Sequence, residues 1–173
     1  MQFFEVVETR RSVRAFTAAP IERDKLETIL ATARLAPSAG DLQAYQIVVI
    51  DETEAKTALA AAALGQHFVA EAPVVLVFCA SPERIESKYG RRGASLYCVQ
   101  DATIAASYAQ LAATAQGLAS CWVGAFDEAA AAAALRTPQR LRPVAIMPIG
   151  YATAVPDPPL RRALGELVHR GVW

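Results

Sequence analysis

The sequence has no surplus of charge of either sign: lysine plus arginine and aspartate plus glutamate number 17 each, so the formal net charge is zero. Nucleic acids and anionic membranes are recognised by a basic face or tail, and the chain concentrates its cations in neither. No nucleic-acid or membrane partner is therefore expected. Histidine is nearly missing, with only His67 and His169, too few for a histidine-based metal site. Cysteine is scarce as well. Cys79, Cys98 and Cys121 are odd in number, widely spaced and set among apolar residues. That excludes a disulfide framework or a zinc cluster and predicts reduced structural thiols in a cytoplasmic protein. No apolar run reaches the ~18 residues of a membrane span. The opening residues 1–8 lack the basic start and apolar core of a signal peptide. A glycine-rich turn after the first strand is also lacking, since Asp51-Glu52-Thr53 stands there, which argues against a Rossmann dinucleotide site. Finally, no side chain stands out as acid, base or nucleophile. Cys121 has no Cys-x-x-Cys partner and no basic neighbour in sequence to lower its pKa.

What is present is a core. The hydrophobic share is 54%, much of it alanine, and the mean hydropathy is +0.24. A chain of 173 residues fits one domain, which buries roughly 70% of its unfolded surface. Residues 3–8 read as a short helix. Pro20 opens a second helix with Glu22 and Asp24 in its first turn and an apolar face of Leu26, Ile29, Leu30 and Ala33. Pro37 ends it, and a loop follows. Residues 46–50 form a strand, and residues 53–64 an alanine-rich helix with Gly65 at its C-cap. Residues 74–79 are continuously apolar, the mark of a strand covered on both faces. Residues 81–93 are a charged surface excursion. Residues 94–116 form the longest helix, small and apolar enough to need cover from other elements or another subunit. Residues 120–125 are a strand, and Asp127 N-caps a helix over 128–135. Residues 143–150 are the last strand, where Pro148 implies a bulge or an edge. Residues 152–159, with three prolines, run extended over a surface.

Three stretches carry chemistry. Arg10-Arg11-Ser12-Val13-Arg14 sets three guanidinium groups and a hydroxyl within five residues. Guanidinium forks grip phosphate oxygens bidentately, and the hydroxyl can complete the cradle. The alternative is a solvated loop in which Arg14 pairs with Glu8 or another acid. Pro37-Ser38-Ala39-Gly40-Asp41-Leu42-Gln43 is stiffened by proline and glycine and presents backbone and hydroxyl groups at small ordering cost, or is an ordinary helix-to-strand turn. In Cys121-Trp122-Val123-Gly124, glycine permits close approach to the backbone, while Cys121 and Trp122 suit the core of a strand.

In this order and spacing, from about Phe3 to His169, the three stretches resemble the FMN-dependent nitroreductase family. The resemblance implies an α+β fold in one domain over residues 1–173, with a central, mostly antiparallel sheet flanked by helices. It further implies an obligate homodimer with two FMN sites at its interface. Arg10 and Ser12 would hold phosphate or ribityl oxygens, with Arg11 a lesser contributor. Arg14 would approach the N1–C2=O edge, where negative charge gathers on hydride uptake. Pro37, Ser38, Ala39, Asp41 and Gln43 would form a second flavin loop, given by the partner subunit. Asp41 stands where asparagine is frequent in the family, and Ala44 where proline is. A backbone N–H of Val123 or Gly124 would meet flavin N5, Gln66 the pyrimidine edge, and Arg161 or Arg162 the phosphate. Tyr89 to Gly93, with Tyr97, Gln100 and Asp101, resembles one branch of the family, whereas Ser107-Tyr108 departs from the Gln-Asn common there.

The implied activity is hydride transfer from NADH or NADPH to FMN and on to a small-molecule oxidant such as a nitroaromatic, a quinone or a flavin. The cofactor carries that chemistry, so neither a catalytic side chain nor a metal is expected. Two alternatives stand beside it. One is a family member acting on a specific metabolite, of dehydrogenase or flavin-fragmenting type. The other is a non-catalytic protein that binds or stores FMN.

Overall fold

The structure is a computed structural model and describes residues 2–171; Met1, Val172 and Trp173 lie outside it. The fold grows from its most apolar segment. Strand β2 (Val74–Ala80) is buried at every residue, as its unbroken apolar run predicts. It pairs antiparallel with β1 (Tyr45–Ile50) on one side and β4 (Arg142–Gly150) on the other, and the two-residue β3 (Ala119–Ser120) pairs antiparallel with β4. The order is β1-β2-β4-β3.

Successive β2 side chains point to opposite faces, and each face has its own helical layer. Leu76 and Phe78 join Met147 and Ile149 under α2 (Arg23–Arg34) and α6 (Cys98–Ala115). Val75, Val77 and Cys79 join Ile146 under α3 (Thr53–Ala62), α4 (Phe68–Glu71) and α7 (Glu128–Leu135). The result is an α+β sandwich with an all-antiparallel sheet at its centre. Alanine is what lets α6 lie so close: Ala102, Ala105, Ala106 and Ala109 are all fully buried. A surface cluster fastens the end of β4 to the start of α2. The Tyr151 hydroxyl donates to Glu22 (2.6 Å) and accepts from Lys25 (2.6 Å). The tyrosine bond first, then the Glu22 backbone and Lys25, hold the exposed Glu22 carboxyl down at about 2.

Several expectations are corrected. Residues 81–93 lie largely at the surface as expected, but they form a helix, α5 (Glu83–Arg92), seated by the buried Ile85. It runs into a π-helical turn at Gly93–Tyr97, so α6 begins at Cys98 and not at residue 94. Helix α2 begins at Arg23, with Glu22 as its N-cap. The loop after it includes a 3-10 turn at Ala39–Asp41. The strand expected over 120–125 is reduced to β3 and an isolated bridge between Val123 and Ile146. Pro148 explains the gap. Cys121 donates to the Pro148 carbonyl (3.2 Å), and Val123 and Ile146 exchange both bonds, but proline has no N–H to return to Cys121. Pro148 therefore lies neither in a bulge nor on an edge. The β2–β4 register shifts elsewhere, between Phe78 and Cys79, where Val144 is the extra residue.

Residues 153–171 are all exposed, including Val155, Leu160, Leu164, Leu167 and Val168. Helix α1 (Phe3–Thr9) likewise exposes Phe3 and Phe4 and buries only Val6. Among the described residues no helix is long and apolar enough to cross a membrane, and no His, Cys, Asp and Glu group is placed to hold a metal ion.

Candidate functional site

The basic run is held at the outer edge of the sheet. Ser12 makes a parallel bridge to Ser120, and the Val13 amide donates to the Ser120 carbonyl (3.0 Å). Buried Val13 and Phe16 anchor the segment against Ala72, with Arg14 exposed and Arg10, Arg11 and Ser12 half-buried. Arg11 is turned toward α1, because its guanidinium donates to the Glu8 (2.6 Å) and Arg10 (3.0 Å) carbonyls at the C-terminal end of that helix. Arg10 and Arg14 form no ion pair among the described residues; Arg14 instead lies 5.9 Å from the centroid of the Phe68 ring. The pairing of Arg14 with a surface acid is thus not observed.

The glycine of the third stretch falls in the same place. The Val123 amide is engaged with the Ile146 carbonyl (2.9 Å), so Val123 cannot be the N–H donor expected of it. Gly124, exposed, has its N–H free of any described partner and remains the candidate. A Cβ there would meet nothing closer than the Trp122 ring nitrogen at 3.5 Å. The fold itself therefore does not require glycine, and without a side chain the backbone at this point is open to close approach. Gln66 is close by, its Nε2 donating to the Ala63 (2.9 Å) and Ala125 (3.1 Å) carbonyls. Two cations without an ion pair among the described residues thus lie near Cys121, and an open backbone N–H follows three residues on at Gly124, a set of groups that suits an anionic cofactor with an acceptor atom on a flat ring.

At Cys121 itself the sequence misleads. Arg14 and Arg10 are spatial neighbours that do pull its pKa down, but burial outweighs them and the thiol is pushed up overall. Burial also pushes Cys79 up, to about 11, and raises Cys98. All three thiols are free and buried. No activated nucleophile results.

The second stretch lies far away. Gln43 leads into Tyr45, which pairs with Ala80, whereas Ser120 pairs with Ile149, itself opposite Val74. The loop and the basic run therefore sit at opposite ends of β2 and opposite edges of the sheet. At ~3.3 Å per residue along strands and ~4.8 Å between them, that is roughly 25 Å. The loop is locally strained and tightly fastened. Asp41 (φ 56°) and Gln43 (φ 49°) are left-handed, a conformation costing an L-residue about 1–2 kcal/mol. The Ser38 hydroxyl accepts from the Gln43 amide (2.9 Å), the Gln43 side chain donates to the Arg34 carbonyl (3.0 Å) and Arg84 donates to the Leu42 carbonyl (2.6 Å). The buried Asp101 carboxylate accepts from the amides of Ala39 (2.9 Å) and Ala44 (3.2 Å). Pro37, Ser38 and Ala39 face Gln100, Thr103 and Ile104 across an open groove of about 470 Å³.

Arg161 and Arg162 are not brought to the basic run by any described contact. Arg162 is engaged within the exposed tail by Glu166 (3.0 Å). Sequence reading also missed Phe68, which no motif marks. Asp101 had a signal, being the only charged residue between Ala94 and Gln116.

The chain matches the nitroreductase family over residues 7–68 and 57–151. It is 31% identical over 134 residues to the NADPH-flavin oxidoreductase of Vibrio harveyi, covering 73% of this chain and 55% of that one. Among solved structures, the NADPH:FMN oxidoreductase of Vibrio harveyi complexed with NAD+ superposes with a TM-score of 0.91 at 27% identity, covering 99% of this chain and 77% of that one. A nitroreductase family protein of Clostridium novyi NT superposes with a TM-score of 0.81 at 32% identity, covering 88% and 86% respectively. With the antiparallel sheet, the basic run against β3 and the free Gly124 amide, these matches establish that the chain belongs to the nitroreductase family.

Proposed function

We propose that the protein is an FMN-dependent NAD(P)H oxidoreductase working as a homodimer, with a nitroaromatic, quinone or flavin as oxidant. The observation that carries this reading is the Ser12–Ser120 bridge, which holds the basic run against the segment leading to Gly124, with Arg10 and Arg14 near enough to Cys121 to act on its thiol. FMN, when bound, supplies the hydride chemistry at N5. Arg10 and Ser12 hold its phosphate or ribityl oxygens, Arg14 offers positive charge to the N1–C2=O edge, and the Gly124 amide donates to N5. A cation at that edge favours the reduced state because it is fixed in place before charge develops there.

The loop at residues 37–43 cannot reach this patch within one chain, so it completes the site of the partner subunit. The exposed apolar side chains of α1 and of residues 153–171 give that partner a surface to cover. In the dimer the tail would bring Arg161 or Arg162 toward the phosphate.

The test is anaerobic. Purified protein reconstituted with FMN is mixed with NADH or NADPH, and bleaching near ~450 nm, where oxidised flavin absorbs, is followed. Rapid bleaching reversed by a quinone or nitroaromatic is expected. Tight FMN binding without bleaching would point to storage, and no FMN binding would end the proposal.

A further inference from the structure

We infer that Asp101 is a positioning residue, holding residues 38–44 in the shape the flavin site needs. The inference rests on the reading that this loop meets flavin. Its structural half stands on the clasp itself. Asp101 is 2% exposed, on a helix packed mostly through alanines. Its two oxygens accept from different amides, Oδ1 from Ala39 and Oδ2 from Ala44, which bracket the loop at its two ends. Between them lie left-handed Gly40, Asp41 and Gln43. Strained backbone persists only where its surroundings over-determine it, and such strain gathers at functional sites. The bonds within the loop, such as Ser38 to Gln43, fix its internal shape. Asp101 is what joins that shape to α6, whose residues face Pro37 and Ser38 across the groove. A carboxylate suits the task because it accepts at both oxygens, whereas an amide would turn a donor toward one N–H.

The experiment uses Asp101→Asn, isosteric with the native side chain, in the full chain. Amide hydrogen exchange is read on the FMN-free protein, with the amides of Ala39 and Ala44 compared against those of β2 in the same sample. FMN affinity is read by quenching of flavin fluorescence. The expected result is faster exchange at residues 39 and 44 with β2 unchanged, and an FMN dissociation constant raised at least tenfold. Exchange that accelerates equally in the loop and in β2 would make Asp101 a general stabiliser and overturn the inference. Unchanged exchange at both amides would overturn it too. Local release with unaltered FMN affinity would remove the loop from the flavin site and Asp101's role with it, while leaving Arg10 and Gly124 in place. A wild-type protein that binds no FMN fails the functional reading itself, and that is seen before any variant is made. Should Asp101→Asn be recovered only as insoluble protein, the wild-type exchange decides. Ala39 and Ala44 amides as protected as those of α6 support the clasp, and amides exchanging as freely as an open loop overturn it.

Discussion

Gly124→Ala separates binding from stability, because the fold leaves room for the methyl whereas the proposed flavin contact does not. The added Cβ would sit 3.5 Å from Trp122 Nε1 and 3.8 Å from Cδ1, ordinary van der Waals contact, and the glycine does not occupy the left-handed region. Nothing in the fold opposes the methyl. Replacing glycine at an unstrained position restricts the unfolded chain and stabilises by about 0.4–1 kcal/mol. For a chain of this size the melting temperature should rise by roughly 1–4 °C. Flavin binding should move the other way. A methyl on the face the ring approaches holds it off the Gly124 N–H, losing a hydrogen bond of about 0.5–1.5 kcal/mol together with contacts around it. A ten- to hundredfold weaker FMN affinity is expected, about 1.4–2.8 kcal/mol. Calorimetric titration of FMN into both apoproteins, beside a thermal melt of each, reads the two quantities. A Gly124→Ala protein that binds FMN as tightly as wild type would refute the placement of flavin against this backbone. A lower melting temperature would refute the claim that the fold leaves room.

Arg10→Ala and Ser12→Ala should each weaken FMN binding; for Arg10, a charge-assisted bond of about 1.5–3 kcal/mol predicts a loss of ten- to a hundredfold, and unchanged titrations would place the phosphate elsewhere. Leu64→Gly should stabilise the protein: Leu64 is 72% exposed at φ 59°, so relief of the left-handed cost exceeds glycine's entropic penalty by roughly 0.5–1 kcal/mol, which a chemical denaturation curve can resolve. Tyr151→Phe removes the largest influence holding Glu22 at about 2. A carboxyl depressed on folding contributes stability above its unfolded value of ~4.3 and loses it as pH falls through the folded one. The variant should therefore melt below wild type at pH 6, with the gap closing between about pH 4 and pH 2; a gap that persists at pH 2 would contradict the assignment.

How much was legible follows from what each element depends on. Strand β2 could be read because burial on both faces leaves an unbroken apolar run, a property of the segment alone. Helix α7 could be read because Asp127 caps it locally, accepting from the Ala130 amide at 2.8 Å. Helix α5 was hidden because Ile85 is its only buried residue and charge covers the remainder. The short β3 was hidden because its end is decided by Pro148, a residue on another strand. At the site, the residue types were visible but the division of their hydrogen bonds was not. Only the sheet shows that Val123 has given its amide to Ile146, and only α1 shows where Arg11 points. Asp101's partners lie 57 and 62 residues away in sequence, beyond any local pattern.

The placement of the basic run and the strained loop at opposite corners has a genetic consequence. In the proposed two-fold dimer each site would draw one corner from each chain. Mixing an Arg10→Ala chain with an Asp101→Asn chain, each defective alone, should yield heterodimers in which one site carries both lesions and the other carries neither. With random pairing half of the dimers are hybrid, so about a quarter of all sites should regain native FMN affinity. Two defective proteins, unfolded together and refolded as a mixture, would restore to each other a function that neither has.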